Sequence, residues 1–229
     1  MDVLYFFKRR TKFIRDFYDN TAPTFEEIKR KIEKYEPPYE MPPDYDDTEP
    51  PYLEEYQEAD GAVEFLGQSC LSYLAASLKL FLDESRSETE RFFGDVPGFP
   101  KFDAKLAKSK GAIAANHAWF ETLGIDLNDG GVAPDLLEEV LLTRNRVQHP
   151  ESIGFSWLKQ SDSDYKKFPQ PFFANEAEIQ MSTDDGALHH DFPWLLSVHR
   201  KPLFHTLDEC DKFATWLEHE RLSIGRKKH

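Results

Sequence analysis

A helical pattern that begins at Pro134 ends in RNRVQHP, a segment that places an arginine, an amide and a histidine close together in the sequence. Each residue of a helix turns the side-chain direction by about 100°, so Arg144 falls in the same stripe as Leu137 and Leu141. Burying a guanidinium without a partner costs several kcal/mol. Arg144 therefore needs an acid, a ring of acceptors or a functional role, and this segment is the first candidate for a chemical site.

Asn145 and His149 lie four residues apart and so share one side of the helix, next to Glu138. Pro150 disfavours helical geometry at His149 and is predicted to end the helix there. Histidine moves protons near neutral pH, and arginine holds phosphate through paired hydrogen bonds. A structural interpretation stays open: His149 would complement the helix dipole, and Arg144 would pair with an acid from another helix.

These residues carry a resemblance to a known family. Arg144, Asn145 and His149 match the R-N-x-x-x-H motif of the HEPN superfamily (higher eukaryotes and prokaryotes nucleotide-binding), all-helical domains with the motif on a late helix. The resemblance covers residues 53–150 in architecture and only the three motif positions in sequence. It implies a metal-independent endoribonuclease without a cofactor. His149 would move a proton of the ribose 2′-hydroxyl or leaving oxygen, Arg144 would hold the phosphate, and Asn145 would orient the histidine or the substrate.

The resemblance also implies partners. HEPN nucleases usually pair two motifs and this chain has one copy, so a symmetric homodimer that joins two RNRVQH segments is expected. Glu138 and Arg146 are expected to contact the RNA substrate beside the motif. Many members are toxins or phage-defence effectors, which suggests an antitoxin protein as a further partner. The alternative is a noncatalytic HEPN-like module that uses the same helix for dimer packing or for binding a nucleotide or a protein.

The net charge of −14 argues against broad nonspecific nucleic-acid binding, which relies on a basic surface. A ribonuclease with this charge needs a structured target or a locally basic groove, to which Lys8, Arg9, Arg10 and Arg146 would contribute. The same acidity suits a basic protein partner, or serves solubility alone.

The elements that must position the motif are predicted to be mainly helical. Apolar residues recur at helical spacing over residues 2–18, 53–82, 103–123 and 207–223. A capping-box pattern at Thr24 predicts a separate second helix. Gly124 is the expected left-handed cap of the helix before the motif helix, and Pro134 suits the first position of the motif helix itself.

The chain is predicted to have four parts. Residues 36–52 contain six prolines and six acids, which predicts an extended linker or strap, with a docking peptide as the alternative. Short β-rich segments after Pro150 predict a small hairpin or sheet. The expected organisation is N-terminal helices over 1–35, the linker over 36–52, a HEPN-like helical core over 53–150, and a small β-containing segment plus a C-terminal helix over 151–229.

Other features predict the compartment and exclude several kinds of site. Cys70 and Cys210 lie inside apolar patterns, which predicts buried free thiols and a cytoplasmic protein. The charge-free run Phe65–Leu78 is too short and too polar to span a bilayer, so it predicts a core helix and no membrane partner. His117 is predicted to be a packing histidine. No metal site is expected, since the later histidines match no common ligand spacing; they are His189, His190, His199 and His205.

Overall fold

Two long antiparallel helices form the frame of the molecule. The computed structural model describes residues 2–43, 45, 48–149, 158–184 and 193–224. Its α-helices are α1 (Val3–Glu33), α2 (Leu53–Phe93), α3 (Ala104–Lys110), α4 (Ala112–Glu121), α5 (Pro134–Gln148), α6 (Asp162–Lys167), α7 (Glu176–Asp184) and α8 (Arg200–Ile224). A 3-10 turn covers Leu127–Gly130, and the strands are β1 (Leu158–Lys159) and β2 (Leu195–Leu196). The predicted mainly helical fold with a small β-containing C-terminal part is confirmed.

Helix α1 is one continuous helix, whereas the sequence predicted two. The Asp2 side chain caps its start by accepting the backbone N–H of Tyr5 at 2.8 Å. Pro23 lies inside the helix and is exposed. The buried side chains of Tyr18 and Ala22 continue the packed face up to the proline, so tertiary packing maintains a helix that Pro23 alone would interrupt.

Helix α2 extends beyond the predicted end near Leu82 to Phe93. Ser85 and Thr89 continue its buried face, and the Thr89 hydroxyl donates to the Ser85 carbonyl at 2.8 Å. The Thr89 hydroxyl can therefore be buried without a partner outside its own helix. The apolar pattern did not predict the last turns of α2, because Ser85 and Thr89 are not apolar.

The predicted helix over 103–123 is divided in two. Asp103 caps α3, and Gly111 separates α3 from α4 with φ of 97°, a conformation that favours glycine. Gly124 also has positive φ, at 80°, which confirms the predicted cap. A residue other than glycine at 111 would place its Cβ 3.1 Å from the Glu138 carboxylate, so this break also lets α5 approach.

Helix α8 closes the core against both α1 and α2. Leu203, Leu207, Phe213 and Leu217 are fully buried along it. The antiparallel strands pair Leu158 with Leu196 and Lys159 with Leu195, which confirms a small sheet.

Glu64 of α2 holds the segment between β2 and α8. Its carboxylate accepts the Val198 N–H at 2.8 Å and the Ser197 hydroxyl at 2.7 Å. Gly67, one turn further along α2, lies against Val198, where an added Cβ would be 1.6 Å from the carbonyl oxygen. These contacts fix the C-terminal part of the chain on α2.

Helix α2 is the one helix in the described ranges that is long and apolar enough by composition to cross a membrane, and 61% of its most apolar window is buried. The core helix of a soluble protein passes the same test, so this is weak evidence for a membrane span.

Cys70 and Cys210 are both buried and unpaired, as predicted. Burial raises the pKa of the Cys70 thiol to about 11.

Candidate functional site at the end of helix α5

Helix α5 carries the motif and has the predicted ends. It begins with Pro134 in its first turn, and Gln148 is its last residue. His149 leaves the helix with φ of −129° and ψ of 65°, and its N–H donates to the Asn145 carbonyl at 3.0 Å. The His149 side chain is exposed, while Pro150 lies outside the described residues.

Arg144 and Asn145 are joined through their side chains. Arg144 Nη1 donates to Asn145 Oδ1 at 3.1 Å, and both residues are half-buried. No carboxylate of the described residues forms an ion pair with Arg144. A guanidinium has five N–H donors, and the hydrogen bond to Asn145 uses one of them. The structural interpretation, in which an acid of another helix neutralises Arg144, has no support among the described residues.

The buried side of α5 differs from the sequence prediction. Leu137 and Val140 are fully buried as expected, but Glu139 and Thr143 are buried as well, whereas Leu141 is only half-buried. The packed face is therefore rotated away from Leu141, and Arg144 lies at its edge. The prediction that Arg144 lies inside the buried stripe is corrected accordingly.

The two residues predicted to bind substrate beside the motif both contact α6. Arg146 Nε lies 3.3 Å from Asp164 Oδ2, and Glu138 forms an ion pair with Lys167. Both pairs tie α5 to α6, which gives Glu138 and Arg146 a packing role. The structure therefore joins the side chains of Arg144 and Asn145, places His149 on the same helix end, and directs Glu138 and Arg146 to a neighbouring helix.

Glu139 is a residue whose importance the sequence did not reveal. Burial raises the pKa of its carboxyl from 4.5 to about 7, the hydrogen bond from Phe172 opposes this rise, and the charge of Asp135 adds to it. Glu139 Oε2 accepts the Phe172 backbone N–H at 2.6 Å. The only signal in the sequence was a glutamate among the leucines and valines of α5. Its partner, Phe172, lies far away in the sequence.

Histidines elsewhere do not form a second site in the described ranges. His117 Nε2 lies 2.9 Å from Asp126 Oδ1, which supports its interpretation as a packing histidine. His205 stacks on Phe172 at 5.3 Å between ring centroids. The predictions for His189 and His190 lie outside the described residues. Among the residues that the structure describes, no group of three or more potential metal ligands occurs.

A cavity of about 950 Å³ lies between α1, α2 and the segment before α8. Acids and cations both line it, among them Glu26, Glu64, Lys29 and Arg200, and none of its lining residues belongs to α5. At the end of α5, His149 is exposed, whereas Arg144 and Asn145 are half-buried.

Comparison of the chain with protein-family models, with curated proteins and with solved structures found no match. The function must therefore be argued from the chemistry of the motif residues themselves.

Proposed function

We propose that this chain is a metal-independent endoribonuclease of HEPN type that acts as a homodimer, with Arg144, Asn145 and His149 at its catalytic site. The observation that carries the proposal is the Arg144–Asn145 hydrogen bond at 3.1 Å, formed by an arginine that has no acidic partner among the described residues. A half-buried guanidinium held by a neutral amide keeps its full positive charge for a phosphate.

Each motif residue has a distinct role in this reaction. Arg144 binds the scissile phosphate and stabilises the charge that develops on it. Asn145 holds the guanidinium in place through Oδ1. His149 removes the proton of the ribose 2′-hydroxyl, or protonates the leaving 5′ oxygen. In-line cleavage needs both proton transfers, and each chain supplies one histidine at this site, so two copies provide the complete set.

The same resemblance suggests a biological setting for this activity. A cytoplasmic ribonuclease of a toxin–antitoxin or phage-defence system requires a protein that neutralises it. The charge of −14 restricts such an enzyme to structured RNA or to a locally basic surface.

The test is cleavage of total cellular RNA in the presence of a chelator by the wild type, His149→Ala and His219→Ala. His219 is an exposed histidine on α8 and serves as the matched control. We expect His149→Ala to fold normally and to lose activity by about 10²- to 10⁴-fold, the usual contribution of a general acid or base. Unchanged cleavage by folded His149→Ala, or equal loss in both variants, would contradict the proposal.

A variant of Arg144 tests whether the phosphate is bound through the paired donors of the guanidinium or through positive charge alone. Arg144→Lys keeps the positive charge but lacks the planar fork of donors that meets both Asn145 and a phosphate. We expect a large loss of activity with little change in the free energy of unfolding. Full activity of Arg144→Lys would indicate that charge alone is sufficient.

The ion pairs of Glu138 and Arg146 with α6 favour one alternative. They make α5 a packing element, which suits a noncatalytic module that binds a nucleotide or a protein through the helix end. Such a module would bind RNA or nucleotide without cleaving it, and His149→Ala would leave that binding largely intact.

A further inference from the structure

We infer that two copies of this chain associate through the exposed face of the α1–α2 pair, with α2 packed antiparallel against α2 of the second copy. This assignment deepens the proposed function by naming the dimer surface, and it rests on that function only for the claim that the dimer cleaves RNA. We call the surface the α1–α2 face. Its large side chains are Phe6, Phe13 and Phe17 of α1 and Phe65, Tyr73 and Leu80 of α2.

These six large side chains are exposed to solvent in the single chain. Each is between 41% and 67% exposed. Phe13 stacks on Phe17 at 6.0 Å between ring centroids and meets Tyr73 edge-on at 6.0 Å. The Arg10 guanidinium lies over the Tyr73 ring, 5.4 Å from its centroid. Scattered exposed hydrophobic residues are normal on a monomer, but a connected aromatic group such as Phe13, Phe17 and Tyr73 marks an interaction site.

The outward side of α2 has the pattern of a packing seam. Seven residues follow an alternating spacing of four and three, which is the a/d repeat of paired helices. All seven are exposed or half-buried, and they are Glu58, Ala62, Phe65, Ser69, Ser72, Ala76 and Lys79. Residues 65–78 carry no charge. Packing in the core explains why the inner side of this helix is apolar. It does not explain why the outer side carries no charge over residues 65–78.

In an antiparallel pair of α2 helices, the seam of one copy is complementary to the seam of the other. With the twofold axis between residues 68 and 69, Glu58 lies opposite Lys79 of the second copy, and Phe65 lies opposite Ser72. The ends then carry opposite charges, and the large side chain meets a small one. Neither Glu58 nor Lys79 has an ion-pair partner within the described part of the chain. A C2 interface requires this kind of self-complementarity, which an unrelated partner would not need.

The available area also suits a dimer. An aromatic side chain buries roughly 150–250 Å² when it is fully covered, so six large side chains that are about half exposed offer on the order of 600 Å². A standard interface buries about 800 Å² on each partner, and a polar rim supplies the remainder. Two chains of charge −14 repel each other, and residues 65–78 of α2, which carry no charge, are where they can approach at the lowest electrostatic cost.

The test is a charge exchange across the seam, followed by light scattering and sedimentation over a range of protein concentrations. Lys79→Glu and Glu58→Lys each place like charges opposite each other at both ends of the dimer. We expect each single variant to raise the dimer dissociation constant by about tenfold or more, and the double variant Glu58→Lys/Lys79→Glu to restore it. Lys105→Glu, on the exposed side of α3, is the matched control for net charge and should behave as the wild type.

A variant beside the twofold axis gives a second measurement. Ser69→Arg brings two guanidinium groups together at the centre of the seam, and we expect it to be a folded monomer by circular dichroism and light scattering. A monomeric wild type at micromolar concentration would overturn the assignment and leave the face to another partner. A stable dimer in which all the seam variants match the control would overturn it equally.

Cleavage measured on the same samples separates the two proposals. A dimer that responds to the charge exchange but cuts no RNA supports the interface and contradicts the nuclease. Cleavage that depends on His149 but persists in the Ser69→Arg monomer supports the nuclease site and contradicts its link to this dimer. Loss of cleavage in the monomer, with recovery in the double variant, supports both.

Discussion

The substitution Glu139→Gln tests how the motif helix is held in place. Glu139 is 9% exposed on α5, and its carboxylate accepts the Phe172 N–H from the segment that crosses the helix. Glutamine keeps the shape and the acceptor oxygen but cannot ionise. The variant therefore isolates the free energy of placing a negative charge in this buried position.

The pKa of Glu139 determines how the substitution changes the free energy of unfolding at each pH. Because burial raises the pKa of the folded-state carboxyl to about 7 from 4.5, the folded protein holds a proton that the unfolded chain has lost between these values. Stability from this group is thus present at low pH and is lost as the pH rises through that window. The shift corresponds to about 3 kcal/mol, since one pKa unit is roughly 1.4 kcal/mol.

The assay is urea unfolding followed by tryptophan fluorescence at several values between about pH 5 and pH 8, where the proton is bound and lost respectively. We expect wild type and Glu139→Gln to have similar unfolding free energies at the acidic end. At the alkaline end the variant should be more stable by up to about 3 kcal/mol. Glu138→Gln is the control, because it removes an ion pair with Lys167 and should not stabilise the protein at any pH. A difference between wild type and Glu139→Gln that is constant across pH would refute the reasoning.

Three further predictions concern the packing around α2 and α8. Gly67→Ala places a methyl group 1.6 Å from the Val198 carbonyl oxygen, so it should lower the unfolding free energy by about 3 kcal/mol or more in urea melts. Arg221→Ala removes a buried cation that lies 3.1 Å from Glu88 and 2.8 Å from Glu218, and thermal unfolding should show a loss of about 3–5 kcal/mol. Both thiols should resist a thiol reagent in the native protein and react in urea, and rapid reaction of either native thiol would contradict their burial.

The helices were largely predictable from the sequence because apolar spacing and capping residues act locally. The errors occurred where distant contacts decide the outcome. Pro23 fails to end α1 because buried residues such as Tyr18 and Ala22 hold the helix against its neighbours. The last turns of α2 form under α8, where Glu88 meets Arg221, and no local pattern indicates that pairing.

The position of the motif residues was predictable from the sequence, but the burial of Arg144 was not. The motif residues are neighbours in the sequence, so their presence on one helix end follows from α5 alone, as does the end of the helix at His149. The degree of burial of Arg144 did not follow. It depends on which side of α5 receives the segment around Phe172, and that contact joins residues 33 positions apart.

The charge-free run of α2 illustrates why a pattern can be interpreted correctly and still incompletely. Its lack of charge predicted a core helix, and the inner side of α2 does form the core, with Leu71, Leu74 and Leu78 fully buried. The outer side is equally free of charge although it faces solvent in the single chain, where Phe65 is 67% exposed. Contact with a second copy would explain both sides by the same physical cause, because each side then packs against protein. The proposed catalysis requires a second histidine and the proposed interface requires a second copy of the outer side of α2, and these requirements come from different residues. The charge exchange at the seam and the histidine variant at the helix end therefore provide independent tests, and agreement between them would be evidence that neither provides alone.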